Sequence, residues 1–174
     1  DNQVTIAVAG AIPLLITLLR DGCAEGKTDA AAALWNLAAN ADNKVTIAAT
    51  GAIPLLIRLL RDGTAKGKCK AAGALWNLAA NADNKVTIAA AGAIPLLIRL
   101  LRDGTVEGKA VAAGALANLA HNADNQVTIA VAGAIPLLIT LLRDGCAEGK
   151  TDAAAALWNL AANADNKVTH SSAD

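Results

Sequence analysis

Apolar positions fall into three blocks that recur along the chain, and each block carries its own periodicity. The first is short: Val4-Thr5-Ile6-Ala7 runs from Asp1, a candidate N-cap, to Gly10, a C-terminal stop. The second opens at Ile12-Pro13, with proline in the first turn where its missing N–H costs nothing. It continues Leu14-Leu15-Ile16-Thr17-Leu18-Leu19-Arg20 and stops at Asp21-Gly22. Its leucines are nearly continuous, which predicts a helix buried on most sides. The third is Ala-rich, starts near Ala24, holds Leu34-Trp35-Asn36-Leu37 and ends at Asn40. The pattern predicts three helices per unit: short, buried and long.

The unit recurs in register as Asp1–Ala41, Asp42–Ala82, Asp83–Ala123 and Asp124–Ala164. A fifth copy starts at Asp165 and stops after Thr169, and His170–Asp174 form a non-repeat tail. Residues 1–169 therefore read as a single array, 1-41, 42-82, 83-123, 124-164 and 165-169. Thr64 and Thr105 stand as N-caps of the long helix; Cys23 and Cys146 replace them and should cap worse by ~1 kcal/mol each.

A three-helix unit of this length belongs to the HEAT/armadillo class. GAIPLLIRLLRDG (Gly51–Gly63) and AAGALWNLAANADNKVTIAAAG (Ala71–Gly92) resemble the armadillo repeats of plant-type proteins, including those attached to U-box domains. The resemblance extends from Asp1 to Thr169 and implies an all-α, right-handed armadillo-type α-solenoid with about three helices per repeat. It also implies a non-catalytic protein- or peptide-binding scaffold; the alternative is a designed consensus scaffold with no natural ligand that self-associates end to end, and a recognition arm cut from a ubiquitin ligase is a third reading that rests on the resemblance alone. Residues 1–46 and 124–169 are identical, which points to an engineered or recently duplicated array.

Composition narrows the function. With no Phe, Tyr or Met, the core must be Leu, Ile, Val and Ala, with three Trp to place. A formal net charge of zero argues against nucleic acid as partner. The longest apolar runs, such as Ile6–Ile16, hold 11 residues, short of a membrane span of about 20. Cys23 and Cys146 share a slot three units apart, too far to bridge, and free thiols suit a cytoplasmic or nuclear setting if the protein is natural. Gly22–Thr28 looks like a phosphate-binding loop but has three residues between its glycines instead of four, and a leucine-rich helix precedes it. His121 and His170 have no ligand-like spacing to Cys or carboxylates. No enzyme activity, cofactor or metal is expected.

The differences among the copies carry the rest. Twelve slots vary, seven of them in the third helix: in copy-one numbers Ala24, Glu25, Thr28, Asp29, Ala32, Trp35 and Ala39. Slots 25, 28, 32, 35 and 39 make one helical stripe. It reads either as an exposed face free to drift or as a binding surface on a constant scaffold. The slot holding Trp35, Trp76, Ala117 and Trp158 favours the second, since Trp→Ala in a packed core costs ~3–5 kcal/mol. The competing reading lays each Trp flat and half-buried between neighbouring third helices.

Asn36, Asn77, Asn118 and Asn159 are unchanged although Asn is a poor helix-interior residue. Their amides either bond a neighbouring unit's backbone or pair with the C=O and N–H of an extended peptide. The resemblance implies the latter, because armadillo proteins commonly use an Asn here to hold peptide backbone. Two extended residues span ~7 Å, close to the ~8–10 Å between packed helices. The importin-α-like pattern has Trp four residues before Asn; here Ala32, Gly73, Gly114 or Ala155 stands there, no acidic surface compensates, and a basic signal is a poor ligand. In copy three, Ala117 and His121 suggest a notch flanked by Trp76 and Trp158; the alternative for His121 is a solvated surface residue. The candidate peptide-binding residues are therefore Trp35, Asn36, Trp76, Asn77, Asn118, His121, Trp158 and Asn159. The terminal copies lack polar caps, which predicts head-to-tail self-association.

Overall fold

A computed structural model of the chain describes residues 2–163. Among these residues there are twelve helices and no strand. They fall in threes: α1 (Asn2–Val8), α2 (Ala11–Asp21) and α3 (Ala24–Leu37); α4 (Ala41–Ala49), α5 (Ala52–Asp62) and α6 (Ala65–Leu78); α7 (Ala82–Ala90), α8 (Ala93–Asp103) and α9 (Val106–Leu119); α10 (Ala123–Val131), α11 (Ala134–Asp144) and α12 (Ala147–Ala161). Asp1, the fifth copy at 165–169 and the tail at 170–174 lie outside the described residues.

Two boundaries differ from expectation for one reason. The first three long helices end at Leu37, Leu78 and Leu119, three residues short of the expected asparagine. That asparagine caps the following short helix. The Oδ1 of Asn40 accepts from the backbone N–H groups of Asp42 at 3.0 Å and Asn43 at 3.2 Å, and Asn81 repeats the arrangement. Asp42, Asp83 and Asp124, counterparts of the Asp1 expected as cap, sit inside the first turn, where a negative charge meets the positive end of the helix.

Each short helix meets the next at 77–82°. The corner is turned by Gly10, Gly51, Gly92 and Gly133 at φ of 81–84°, a conformation that costs a residue with a Cβ. The units then stack. The long helices lie side by side, α3 on α6, α6 on α9 and α9 on α12, and the second helices form a parallel row behind them. Leu34, Leu56, Leu75, Leu97 and Leu116 are at most 1% exposed along this spine. Burying each contributes about 1.5–3 kcal/mol.

Hydrogen bonds that cross from unit to unit fix the register. Arg58 Nη2 donates to Arg20 O and Arg99 Nη2 to Arg61 O, both at 3.1 Å, satisfying carbonyls at the C-termini of α2 and α5. Thr140 holds the same slot in α11 and bonds its own Pro136 O at 3.0 Å instead. Asn43, Asn84 and Asn125 are buried, and their Nδ2 groups donate to Leu37 O, Leu78 O and Leu119 O. Asn43 and Asn84 also reach the preceding short helix, at Gln3 O and Lys44 O.

Candidate functional site

The row of long helices carries seven of the eight predicted site residues, with His121 in the turn just after α9, and it divides them into structural and open positions. Trp35 and Trp76 are half-buried and lie against the next long helix. A Cβ on Gly73 would stand 2.5 Å from Trp35 Cε2, and one on Gly114 would stand 2.7 Å from Trp76 Cε2. Each indole is thus seated on a glycine. Where the Trp is missing, at Ala117, the following unit carries Ala155 instead of glycine, and Ala117 stays 6% exposed. Trp158 has no unit beyond it among the described residues and is 79% exposed. The Trp/Ala difference therefore does not put this slot outside the core. The flat, half-buried alternative is the observed one.

The asparagines are likewise committed in part. Asn77 Nδ2 donates to Trp35 O, Asn118 Nδ2 to Trp76 O and Asn159 Nδ2 to Ala117 O, each at 2.9 Å. These carbonyls lie in the last turn, where the helix turns tight: the N–H of Ala39 bonds Asn36 O rather than Trp35 O. The amide closes a gap that the helix end leaves. Asn36, in the first unit, is exposed. His121 is exposed too, its Nε2 3.4 Å from Asn159 Nδ2.

The open space on this row is not at Ala117. A concavity of about 560 Å³ lies toward the N-terminal halves of the long helices. Its walls are Trp35 and Trp76, the small or apolar Ala110, Val111 and Ala147, and the polar Glu107, Glu148, Thr151 and Asp152. Three carboxylates therefore share one cavity, which corrects the expectation that no acidic surface is present. All seven non-Trp lining residues occupy varying slots (24, 25, 28 and 29), so variation among copies was the signal that could have found them. The same stripe is not uniformly exposed, since Thr28, Cys69 and Ala110 are 2–5% exposed.

The charges in the cavity are partly paired. Lys70 Nζ sits 2.8 Å from Glu107 Oε1 and 5.2 Å from the centroid of the Trp35 ring, a cation held between a carboxylate and an aromatic face. That hydrogen bond raises the Lys70 pKa and lowers that of Glu107. Burial, and then the charge of Glu148, raise the pKa of Asp152. Burial first, and then Glu107, push the Cys69 thiol to about 11.

The family model of the armadillo/beta-catenin-like repeat matches four times, at residues 1–39, 40–80, 81–121 and 122–162. The chain belongs to the armadillo repeat family. Its three-helix units are armadillo repeats, and the array is an armadillo α-solenoid. It is similar to a designed armadillo repeat protein at 32% identity and a TM-score of 0.88, over 97% of this chain and 72% of that one. It is similar to another in complex with the peptide (KR)4, at 30% identity and a TM-score of 0.81, over 91% and 67%. A third, one of the computationally designed armadillo repeat proteins for modular peptide recognition, gives 34% identity and a TM-score of 0.84 over 92% and 69%. The chain spans 66% and 42% of the length of two further engineered proteins of this fold. Among curated proteins none matches. The engineered relatives agree with the origin that the identical first and fourth armadillo repeats suggest.

Proposed function

We propose that this armadillo array is a non-catalytic scaffold that takes an extended peptide across its long helices and holds a cationic side chain of that peptide in the acidic cavity. The observation that carries the reading is Lys70. It occupies slot 29 of its repeat and rests on the Trp of the repeat before and the Glu of the repeat after. One repeat further on, the same three slots hold Val111, Trp76 and Glu148, all lining the cavity. The aromatic face and the carboxylate recur there and the ammonium does not. A lysine or arginine from a ligand supplies it.

Asp152 supports the same assignment. Its carboxylate is disfavoured as an anion where it stands, and an incoming cation relieves that. The net local charge favours the guest: Lys70 neutralises Glu107, while Glu148 and Asp152 form no ion pair among the described residues. Asn77 and Asn118 use one amide N–H each on the preceding helix, which leaves Oδ1 and the second N–H for peptide backbone. Trp35, Trp76, Asn36, Asn77, Asn118, His121, Trp158 and Asn159 remain the proposed contact row, joined by Glu148 and Asp152. The (KR)4 complex of a designed relative supports a basic peptide as the class of ligand.

The test is a titration of an alternating Lys-Arg octapeptide into the chain, followed by tryptophan fluorescence. Binding should saturate and weaken with salt. Val111→Lys should compete it away, because the new ammonium takes the place of the guest. Equal affinity for wild type and for Val111→Lys and Glu148→Gln variants would sink the reading.

A further inference from the structure

The two ends of the stack are the two halves of one joint. At each internal joint the face of one repeat covers the face of the next, and the burial of equivalent slots shows which residues do so. Leu59, Leu100 and Leu141 are 7–8% exposed, whereas their counterpart Leu18 is 40% exposed and the neighbouring Leu14 is 72%. On the opposite face Ile16, Ile57 and Ile98 are 3% exposed, whereas Ile139 is 40%. Leu19, Leu60 and Leu101 are 2–3% exposed and Leu142 is 40%. The first repeat thus bares the side that every later repeat buries, and the fourth repeat bares the side that every earlier one buries. Asn36 carries the amide that at each internal joint reaches back to the Trp-slot carbonyl of the preceding repeat.

One pair of slots does not match. Internal joints seat Trp35 on Gly73 and Trp76 on Gly114, or place Ala117 with Ala155. A joint between two copies places Trp158 against Ala32. In the internal register that alanine Cβ falls where a Cβ on Gly73 or Gly114 would fall, inside contact distance of the indole.

We propose that a second copy of this chain docks head to tail, the first repeat of one on the fourth repeat of the other, and that Trp158 against Ala32 sets the strength of that joint. The joint reuses the apolar slots of the internal interface, so its partner is the chain itself. The extra methyl holds the indole off its seat and weakens it, as overpacking does at any close contact.

Sedimentation velocity on the full chain tests this. Ala32→Gly restores the Trp-on-glycine seat and should tighten self-association by about tenfold or more. In that background, Leu14→Glu alone and Ile139→Glu alone should each sediment as monomer. Mixing the two should restore a dimer that grows no further, because each partner keeps one competent end. Circular dichroism of each variant establishes that it is folded. An Ala32→Gly chain that associates no more tightly than wild type overturns the proposal. So does association that survives either glutamate, or a mixture that stays monomeric.

Discussion

Gly73→Ala is the sharpest test of how the repeats join. Glycine within a helix is worse than alanine by roughly 0.5–1 kcal/mol, so propensity alone makes this substitution stabilising. The structure reverses the sign. The new Cβ would stand 2.5 Å from Trp35 Cε2, and the indole is packed against the core and lies under the Lys70 ammonium, so it has little freedom to retreat. Overpacking of this kind costs about 1–3 kcal/mol, which outweighs the propensity gain and leaves a net loss of up to about 2.5 kcal/mol. In a Trp35→Ala background the obstruction is gone and the pair becomes Ala with Ala, as Ala117 with Ala155 already is. There Gly73→Ala should stabilise by roughly 0.5–1 kcal/mol. The change of sign is the signature, a coupling of about 1–3 kcal/mol between two residues on different repeats. Equilibrium urea denaturation of the four chains measures it, with an unchanged m-value as the check that terminal repeats do not unfold separately. If Gly73→Ala stabilised both backgrounds equally, Trp35 would not be seated on Gly73 and the account of the joint would fail.

Asn77→Ala should lose about 1 kcal/mol of stability through the orphaned Trp35 carbonyl, whereas Asn36→Ala, at an exposed side chain that bonds no other helix among the described residues, should stay within about 0.5 kcal/mol; equal losses by urea denaturation would contradict the structural role. Among the thiols, Cys23 is exposed and Cys69 is 2% exposed with its thiol pushed to about 11, so a disulfide reagent at pH 8 should label Cys23 at once and Cys69 only as the chain opens. A burst of three equivalents from the folded protein would refute that. The raised pKa of Asp152 means the folded state holds its proton more tightly than the unfolded chain does. Its stabilising contribution is complete below the unfolded pKa and is lost as pH rises through the folded one. Asp152→Asn should therefore raise the melting temperature at pH 7 and leave it nearly unchanged well below the carboxylate range; the opposite ordering would show that Asp152 is ion-paired.

The architecture was legible because the signals that define it are local and repeated. Pro13 in a first turn, Gly10 at a corner and Gly22 at a stop act through the backbone of a few residues, and four copies average out any one misreading. The misplaced boundary at Asn40 shows the limit. An Ala-rich run followed by Asn-Ala-Asp offers two candidate caps two residues apart, and only the packing of the next short helix selects the asparagine. The acidic cavity was not legible by composition, since a chain of zero net charge can still gather Glu107, Glu148 and Asp152 from two repeats onto one face. Translation by one repeat, which brings slot 25 of one copy beside slot 29 of the copy before, is a property of the stack and not of any single helix.

The variation among copies has two physical origins, and separating them changes what each difference means. At slots 32 and 35 the changes are paired across a joint: glycine follows tryptophan at Gly73 and Gly114, and alanine follows alanine at Ala155. The two slots are coupled across the joint, so Ala117, 6% exposed, marks a differently built joint. At slots 25 and 29 the changes alter the charge, from Lys66 to Glu107 and Glu148 and from Lys70 to Val111 and Asp152. Slot 25 is exposed in every copy, so the fold asks little of it, whereas slot 29 enters the core at Val111. Ordering the pairs by repeat, rather than listing variable slots, would have exposed the first class from the sequence alone. The second class needs the stack, because a side chain from one repeat completes its site only between its two neighbours.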